Sequence, residues 1–367
     1  MTPVQVGIIG AGNVSVQYLN AAKFFKAFQV AALADLDPAR TKARADEYGV
    51  PKALSVDELL ADPEVQVVIN LTVPSAHVGV SQQILEAGKA AYSEKPLGTV
   101  REDAAAMMAL ADRQGLRVGC APDTFLGAGL QSARKVLDDG LIGEPVGAFA
   151  SVLSRGMEMW HPDPTFFYQP GAGPLFDLGP YYLTALVHLL GPISKVAATA
   201  QTSFAERTVT SQPNYGMKIP VTTPTHISAL LTFETGAVGT LMTSFDVWAS
   251  DLPRIEVYGT EGTLSVPDPN TFGGPLRVKK AGQEAWEELP LTHGYTDNSR
   301  GLGVADMAHA VASGRPHRAS GALAYHVLDA MQSILEAAEA ERTLTLTSRA
   351  DRPAPLPVGL TEGVLDD

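Results

Sequence analysis

The 367-residue sequence contains a single cysteine, Cys120, so it cannot form a disulfide within one chain. That cysteine lies in the apolar run Leu116 to Ala121, which predicts a buried structural thiol. Basic residues are also scarce, since 27 Lys and Arg stand against 40 Asp and Glu and leave a net charge of -13. Nucleic acid and anionic membranes both require a positive patch. We therefore expect neither as a partner.

Long hydrophobic runs are missing as well. Nowhere do 18 apolar residues follow one another, and no basic region with an apolar stretch of signal length precedes the first strand pattern at Val4. The eight histidines show none of the spacings typical of metal ligands. These features predict a cytoplasmic protein without a metal site.

The pattern of predicted strands and helices changes along the sequence. Up to residue 122, short apolar strand patterns alternate with helix patterns, which indicates a doubly wound parallel sheet. From about residue 145, longer β-rich runs separated by glycine-bearing turns indicate a large, mostly antiparallel open sheet. A composition that is 45% hydrophobic and 18% charged is sufficient for two packed cores. We predict an α/β fold with a domain boundary between residues 122 and 123.

A glycine-rich loop follows the first strand pattern and opens a helix pattern. Gly10 and Gly12 carry no Cβ and let the backbone approach a pyrophosphate, while the helix N-terminus near Asn13 and Val14 supplies amide donors. Ser15 stands where the third glycine of the usual fingerprint lies. Strand, loop and helix in this order predict a dinucleotide-binding Rossmann unit.

Asp35 ends the second strand pattern, 23 residues beyond Gly12. A carboxylate there binds the adenosine ribose hydroxyls and repels a 2′-phosphate, so NAD is the expected cofactor and NADP is less favoured. Arg40 follows one helical turn later. An arginine at that place either pairs with a phosphate or lies solvated on the helix surface, and both readings stay open.

Two further motifs follow later strands of the same predicted sheet. Residues 72–77 end one strand and begin a helix, which is explained either by a helix entry capped by Ser75 or by a loop lining the nicotinamide. Thr72, Pro74 and His77 are the candidate contacts there. The next strand ends in Glu94-Lys95-Pro96, at the sheet edge where ligands bind. Unless it is a plain surface pair, Glu94 with Lys95 belongs to the cofactor site, and Lys95 reaches its reactive end.

A second constellation lies near the predicted helix at residues 174–190. Four of its polar residues recur at spacings of four, three and four and so share one helix face: Asp177, Tyr181, Thr184 and His188. Apolar neighbours on both sides favour a cleft over solvent. Asp177 and Tyr181 are the candidate catalytic residues, with His188 assigned to packing. The candidate substrate contacts are Trp160, His161 and Tyr182.

These motifs together resemble the Gfo/Idh/MocA family, named for glucose-fructose oxidoreductase, inositol dehydrogenase and rhizopine catabolism. The resemblance covers nearly the whole chain and rests on Asp35 and four segments: GIIGAGNVS at 7–15, TVPSAH at 72–77, EKP at 94–96 and GAGPLFDLGPYYL at 171–183. Many members carry histidine four residues after the aspartate of the last motif. This chain has Tyr181 there, as glucose-fructose oxidoreductase and the dihydrodiol dehydrogenases have tyrosine.

The resemblance implies an NAD-binding Rossmann domain at 1–122 and a substrate-binding and oligomerisation α/β domain at 123–367. The second domain is expected to include a helix at 320–341 and an extended tail at 350–367, and its open sheet implies a homodimer or homotetramer.

The implied reaction moves a hydride between a nicotinamide cofactor and a ring hydroxyl of a sugar, a polyol or a related cyclic alcohol. Tyr181 would exchange the hydroxyl proton, Lys95 would support it, and Asp177 would bind a substrate hydroxyl or hold Lys95 charged. The alternatives are an NAD-dependent glycosidase acting by transient oxidation and elimination, and a non-catalytic NAD-sensing protein.

Overall fold

The computed structural model describes residues 2–366. Contacts divide them into two compact units. The first unit contains the residues up to Ala128, Thr292–Tyr325 and the residues from Pro353 onward. The second unit contains Gly129–Leu291 and His326–Arg352.

The first unit contains a parallel sheet of six strands. Its strands are β1 (Val4–Ile9), β2 (Phe28–Ala34), β3 (Lys52–Leu54), β4 (Val67–Asn70), β5 (Ala90–Ser93) and β6 (Val118–Cys120). The strand order is β3-β2-β1-β4-β5-β6, and all neighbours run parallel. The order reverses between β1 and β4, and ligands bind at the carboxyl ends of the strands at such a switch point. The predicted doubly wound sheet is confirmed.

Helices follow most strands of the first unit, and another helix precedes the first strand of the second unit. They are α1 (Ser15–Phe24), α2 (Pro38–Tyr48), α3 (Val56–Ala61), α4 (His77–Glu86), α5 (Arg101–Gln114), α6 (Ala128–Asp138), α7 (Gly173–Asp177), α8 (Gly179–Leu190), α9 (Leu302–Ser313) and α10 (Gly321–Ala340). Local sequence explains several of their ends. Asp37 caps α2 by accepting hydrogen bonds from the N–H groups of Ala39 and Arg40, and α2 ends at the left-handed Gly49.

The second unit is built on a nine-stranded sheet. Its chain contains β7 (Pro145–Leu153), β8 (Ile193–Gln201), β9 (Glu206–Thr208), β10 (Lys218–Pro220), β11 (His226–Phe233), β12 (Val238–Ser244), β13 (Ile255–Gly259), β14 (Gly262–Val266), β15 (Leu276–Lys280), β16 (Glu287–Leu289) and β17 (Leu344–Thr345). The order is β16-β15-β14-β13-β7-β12-β11-β8-β17, and β9 pairs with β10 separately. The neighbours are antiparallel except β7 with β12. The expected large, mostly antiparallel sheet is confirmed.

Two details differ from the sequence-based expectations. The compact units do not follow one boundary at residue 122, because the segments 292–325 and 353–366 pack with the first unit. The helix expected at 174–190 is two helices, α7 and α8, separated at Leu178. Every residue of α8 is buried.

Candidate active site

The two glycines of the loop in the first unit have different surroundings. Gly10 has φ +109°, and a Cβ there would lie 2.7 Å from the carbonyl oxygen of Leu71, so only glycine fits. A Cβ at Gly12 would meet no atom within 4 Å, which leaves open space beside the loop. Val14 precedes α1 without any side-chain capping bond. The amide groups at the start of α1 are therefore suited to an anion such as a pyrophosphate.

Asp35 lies directly after β2 and holds this loop. Its Oδ2 accepts a hydrogen bond of 2.7 Å from the N–H of Ala11, and its Oδ1 accepts one of 2.9 Å from the N–H of Asp37. Nη1 of Arg40 lies 3.7 Å from Oδ2, so the arginine considered in the sequence contacts Asp35. The loop and the acidic residue predicted for the cofactor are thus adjacent and fit a dinucleotide.

The segment after β4 is a 3₁₀ turn at Pro74–Ala76 that leads into α4. Neither helix start has a side-chain capping bond, so Ser75 does not act as a cap. Asn70 orders the segment instead: its Oδ1 accepts a 2.7 Å hydrogen bond from Thr72 Oγ1, and its Nδ2 donates one of 2.9 Å to the carbonyl of His77. Thr72 and Pro74 are half-buried on this turn, at the sheet edge.

His77 is buried, with only 1% of its surface exposed. Its Nδ1 lies 2.7 Å from the carbonyl oxygen of Pro96, and its Nε2 lies 3.0 Å from that of Thr72. The ring therefore connects the turn after β4 to the segment after β5. Burial lowers the pKa of His77, and a neutral ring donates to one of the two carbonyls at a time.

Glu94 and Lys95 follow β5, the neighbour of β4 in the sheet. The N–H of Glu94 donates to the carbonyl of Asn70 at 2.9 Å. Oε2 of Glu94 accepts a 2.9 Å hydrogen bond from the N–H of Lys95, and its Oε1 accepts one of 2.7 Å from the hydroxyl of Tyr18. The backbone of Lys95 is thus held by the preceding side chain. No sequence signal pointed to Tyr18, because a tyrosine on a buried helix face usually indicates packing.

A buried carboxylate lies on the same side of the sheet, after β6. Asp123 accepts hydrogen bonds from the N–H groups of Gly301 and Gly303, at 2.8 and 2.9 Å, and so caps the start of α9. Burial raises the pKa of Asp123 to about 6 despite these bonds. This contact joins the later segment 292–325 to the parallel sheet, and the sequence analysis did not predict it.

In the second unit, Asp177 ends α7 and Tyr181 lies in the first turn of α8. Leu178 between them keeps a helical conformation, with φ -110° and ψ -23°. Tyr181, Thr184 and His188 of the predicted polar face are all buried, while Asp177 is half-buried. Covered polar side chains on an otherwise apolar helix are typical of a functional or hydrogen-bonded face.

Tyr182, a candidate substrate contact, is also buried. Its hydroxyl lies near the side chains of Arg254 and Asp268, and burial raises its pKa well above the usual value.

The loop containing Trp160 and His161 precedes α7. Trp160 is 65% exposed, and its ring lies 5.4 Å from that of His161, edge to face. The segment between β9 and β10 holds this loop, since Ser211 Oγ donates to the carbonyl of His161 at 2.5 Å and Asn214 Nδ2 donates to that of Pro162 at 2.8 Å. The exposed indole is available to a ligand.

No group of three or more His, Cys, Asp or Glu side chains within residues 2–366 is arranged to hold a metal ion. In the same part of the chain, no helix combines the length and apolar character needed to cross a membrane.

Known proteins resemble both parts of the chain. Residues 4–121 match the model of an oxidoreductase family with an NAD-binding Rossmann fold, and residues 130–265 match the GFO/IDH/MocA C-terminal domain. A 1,5-anhydro-D-fructose reductase from Ensifer adhaerens is 25% identical over 78% of this chain and 82% of its own length. A trans-1,2-dihydrobenzene-1,2-diol dehydrogenase from Bos taurus is 28% identical over 81% of this chain and 84% of its own.

Solved structures share the fold. An NAD-binding oxidoreductase from Klebsiella pneumoniae aligns with a TM-score of 0.82 at 24% identity, over 94% of this chain and 100% of its own. A levoglucosan dehydrogenase in complex with NADH and L-sorbose aligns with a TM-score of 0.80 at 22% identity, over 95% of this chain and 100% of its own. With both parts of the chain matched and the dinucleotide loop in place, this protein belongs to the Gfo/Idh/MocA family of oxidoreductases.

Proposed function

We propose that the protein transfers a hydride between a nicotinamide cofactor and a ring hydroxyl of a sugar, a polyol or a related cyclic alcohol. The observation that carries this proposal is the fixed backbone of Lys95 at the carboxyl edge of the dinucleotide-binding sheet, held through Glu94 and followed by the segment that His77 contacts. The named relatives that act on sugars and diols support the substrate class.

The proposed cofactor is NAD, bound at the loop and turns described above. When bound, it supplies or accepts the hydride. Gly10, Gly12, Asn13 and Val14 would bind the pyrophosphate at the start of α1, and Asp35 would bind the ribose. The remaining contacts would line the nicotinamide side: Thr72, Pro74, Glu94, Lys95 and His77, the last acting through the backbone carbonyls that it contacts.

The proposed acid-base group is Tyr181, which would exchange the hydroxyl proton with the support of Lys95. Asp177 either binds a substrate hydroxyl or keeps Lys95 charged, and both roles are retained. Trp160 and His161 would contact the sugar. Tyr182 is retained as a third candidate for substrate contact.

We further propose that the domain predicted at residues 123–367 binds the substrate, and that the open face of the nine-stranded sheet joins subunits into a homodimer or homotetramer. On that face Leu230 is 61% and Val238 59% exposed. Leu230 stands beside Ala197 and Thr240 of the neighbouring strands, which makes the surface partly apolar. A monomeric mass in solution would contradict this assembly.

The buried thiol of Cys120 suits a reducing cytoplasm, which is the location that we propose.

The substitution Lys95→Met tests the function. A panel of D-glucose, D-xylose, myo-inositol and levoglucosan first identifies the compounds that the wild-type protein oxidises. With each of these, Lys95→Met should abolish NADH formation while the affinity for NAD stays within a few-fold. The matched control is Lys42→Met, which removes a surface ion pair with Asp46 and should leave turnover unchanged. Retained turnover in Lys95→Met would reject its catalytic role, and lost NAD binding with intact chemistry would make Lys95 a cofactor ligand instead.

A further inference from the structure

Tyr18 is a buried residue of α1 with an unusual position for its hydroxyl. The side chain is 1% exposed and packs edge to face on Tyr92, with ring centroids 6.4 Å apart. Its hydroxyl leaves this apolar contact and donates to Oε1 of Glu94 at 2.7 Å. Tyr18 and Glu94 are separated by 76 residues in the chain, so the bond joins distant parts of the first unit.

We infer that Tyr18 is a positioning residue for Lys95 and acts through Glu94. The inference rests on the proposed catalytic role of Lys95. The two oxygens of Glu94 have different partners: Oε1 accepts from Tyr18, and Oε2 accepts from the backbone N–H of Lys95 at 2.9 Å. The bond from Tyr18 fixes Oε1 and therefore orients the plane of the Glu94 carboxylate. That orientation holds Oε2 in place as the acceptor of the Lys95 N–H. Without Tyr18, rotation of the Glu94 side chain would release the Lys95 N–H.

The surroundings of Tyr18 keep its hydroxyl as the donor in the bond to Glu94. Burial, followed by the neighbouring Glu94, raises the pKa of Tyr18 well above its usual value, so the phenol stays a neutral donor. A hydrogen bond to a carboxylate is about twice as strong as one between neutral groups. The backbone N–H of Glu94 also donates to the carbonyl of Asn70 at 2.9 Å, which holds the start of the segment against β4.

Tyr18 also belongs to the helix that opens the cofactor loop. It lies in the first turn of α1, where Ser15 Oγ donates to the carbonyl of Gly12 at 2.6 Å. One short helix segment therefore contains both the proposed phosphate-binding amides and the donor that fixes Glu94. Tyr18 sets the distance between the cofactor loop and the Lys95 backbone, so its loss should affect catalysis more than binding.

The chain offers a matched control in Tyr92, the ring on which Tyr18 packs. Tyr92 is equally buried, and its hydroxyl has no hydrogen-bond partner among residues 2–366. Tyr18→Phe and Tyr92→Phe each remove one buried oxygen from the same cluster. Only the first removes a bond to Glu94.

The experiment compares these two variants of the full chain with wild type. Amide hydrogen exchange at Lys95 needs no substrate, and it should accelerate at least tenfold in Tyr18→Phe and stay unchanged in Tyr92→Phe. With NAD and the panel sugar turned over fastest, kcat should fall about 10- to 100-fold in Tyr18→Phe, while KM for NAD stays within threefold. Adding Glu94→Gln to Tyr18→Phe should lower kcat little further, because both changes break the same path.

A stability control separates positioning from general loosening. Lys89 is buried in the same unit, and its Nζ donates to the carbonyls of Asp62 and Val65 at 2.7 and 2.8 Å. Lys89→Met should lower the melting temperature and leave kcat unchanged well below it. An equal loss of kcat in Lys89→Met, or wild-type exchange at Lys95 in Tyr18→Phe, would overturn the inference. If Tyr18→Phe does not fold, Tyr18→Gln keeps an N–H donor and should retain exchange protection at Lys95.

The outcomes also separate this inference from the proposed function. Full activity in Lys95→Met would reject the function and the inference together. An inactive Lys95→Met with wild-type kcat in Tyr18→Phe would leave the function in place and reject only the positioning role.

Discussion

Two adjacent tyrosines, Tyr181 and Tyr182, stand at the start of α8. Tyr181 stands four residues after Asp177 on the predicted polar face, whereas Tyr182 lies near Arg254 and Asp268. Tyr181→Phe should lower kcat about 10²- to 10⁴-fold, the usual effect of losing a general acid-base group, with the fold and cofactor binding intact. Steady-state kinetics with the best panel sugar measures the effect.

Tyr182→Phe is the control for this prediction. It should spare kcat and cost about 1 kcal/mol of unfolding free energy, the usual size of one lost hydroxyl contact. Tyr181→His should keep part of the activity, with its pH-rate limb moved toward the lower pKa of imidazole. If Tyr182→Phe lost its activity while Tyr181→Phe kept it, the assignment of the acid-base role to Tyr181 would be wrong.

Cofactor choice is the second prediction for single residues. NAD should bind at least tenfold more tightly than NADP, about 1.4 kcal/mol, because the carboxylate of Asp35 repels a 2′-phosphate. Asp35→Asn keeps an oxygen acceptor for the glycine loop and removes the charge, so the preference should shrink. Fluorescence titration of both cofactors measures it. Equal or reversed affinities in wild type would contradict the role of Asp35 and favour Arg40 as a phosphate partner.

The positions of single residues were predictable where a sequence motif fixes the local backbone. The glycine loop and Asp35 lie together as expected, because strand order and local turn geometry fix both. Tyr18 and Asp123 were missed, because their partners are 76 residues and about 180 residues away in the chain. Long-range pairs of this kind leave no periodic signal in one sequence.

At the level of elements, long periodic segments were predicted well. The helix expected at 320–341 is α10, Gly321–Ala340, and the first strand begins at Val4 as expected. Short elements such as β3 and β9 were missed, because three residues show no measurable period. The break at Leu178 was missed too, since α7 and α8 are joined by a nearly helical residue.

A buried histidine connects α10 to β8 and makes stability depend on pH. His326 Nε2 accepts a 3.0 Å hydrogen bond from the N–H of Ile193, so the ring must be neutral at that nitrogen. Burial lowers its pKa below the usual 6.5. The unfolded chain then binds a proton more readily, so the free energy of unfolding should fall as the pH drops below 6.5.

His326→Gln separates this effect from other titrating groups, because an amide oxygen can accept the Ile193 N–H without binding a proton. Urea unfolding between about pH 5 and 7.5 should give a smaller loss of stability on acidification in the variant than in wild type. Parallel curves for the two proteins would show that His326 does not contribute.

For the whole molecule, the fold class was predictable and the grouping of the chain was not. Within the first unit, ion pairs connect the last residues to the segment 292–325, since Arg318 contacts both Asp306 and Asp366. The hydroxyl of Tyr295 donates to the carbonyl of Val364 at 2.6 Å and secures the last residues. Such contacts follow from tertiary packing, which the alternation of strands and helices does not encode.

The central claim is that the protein moves a hydride between a ring carbinol and a nicotinamide. The most direct measurement uses a panel sugar with deuterium on the reacting carbon, incubated with enzyme and NAD, and analyses the cofactor by mass spectrometry. One deuterium should appear on each NADH formed, together with one equivalent of ketone. With levoglucosan, a broken glycosidic bond, solvent hydrogen on the carbon next to the oxidised one, deuterium returned to the sugar and no accumulated NADH would instead indicate the glycosidase alternative and contradict the claim.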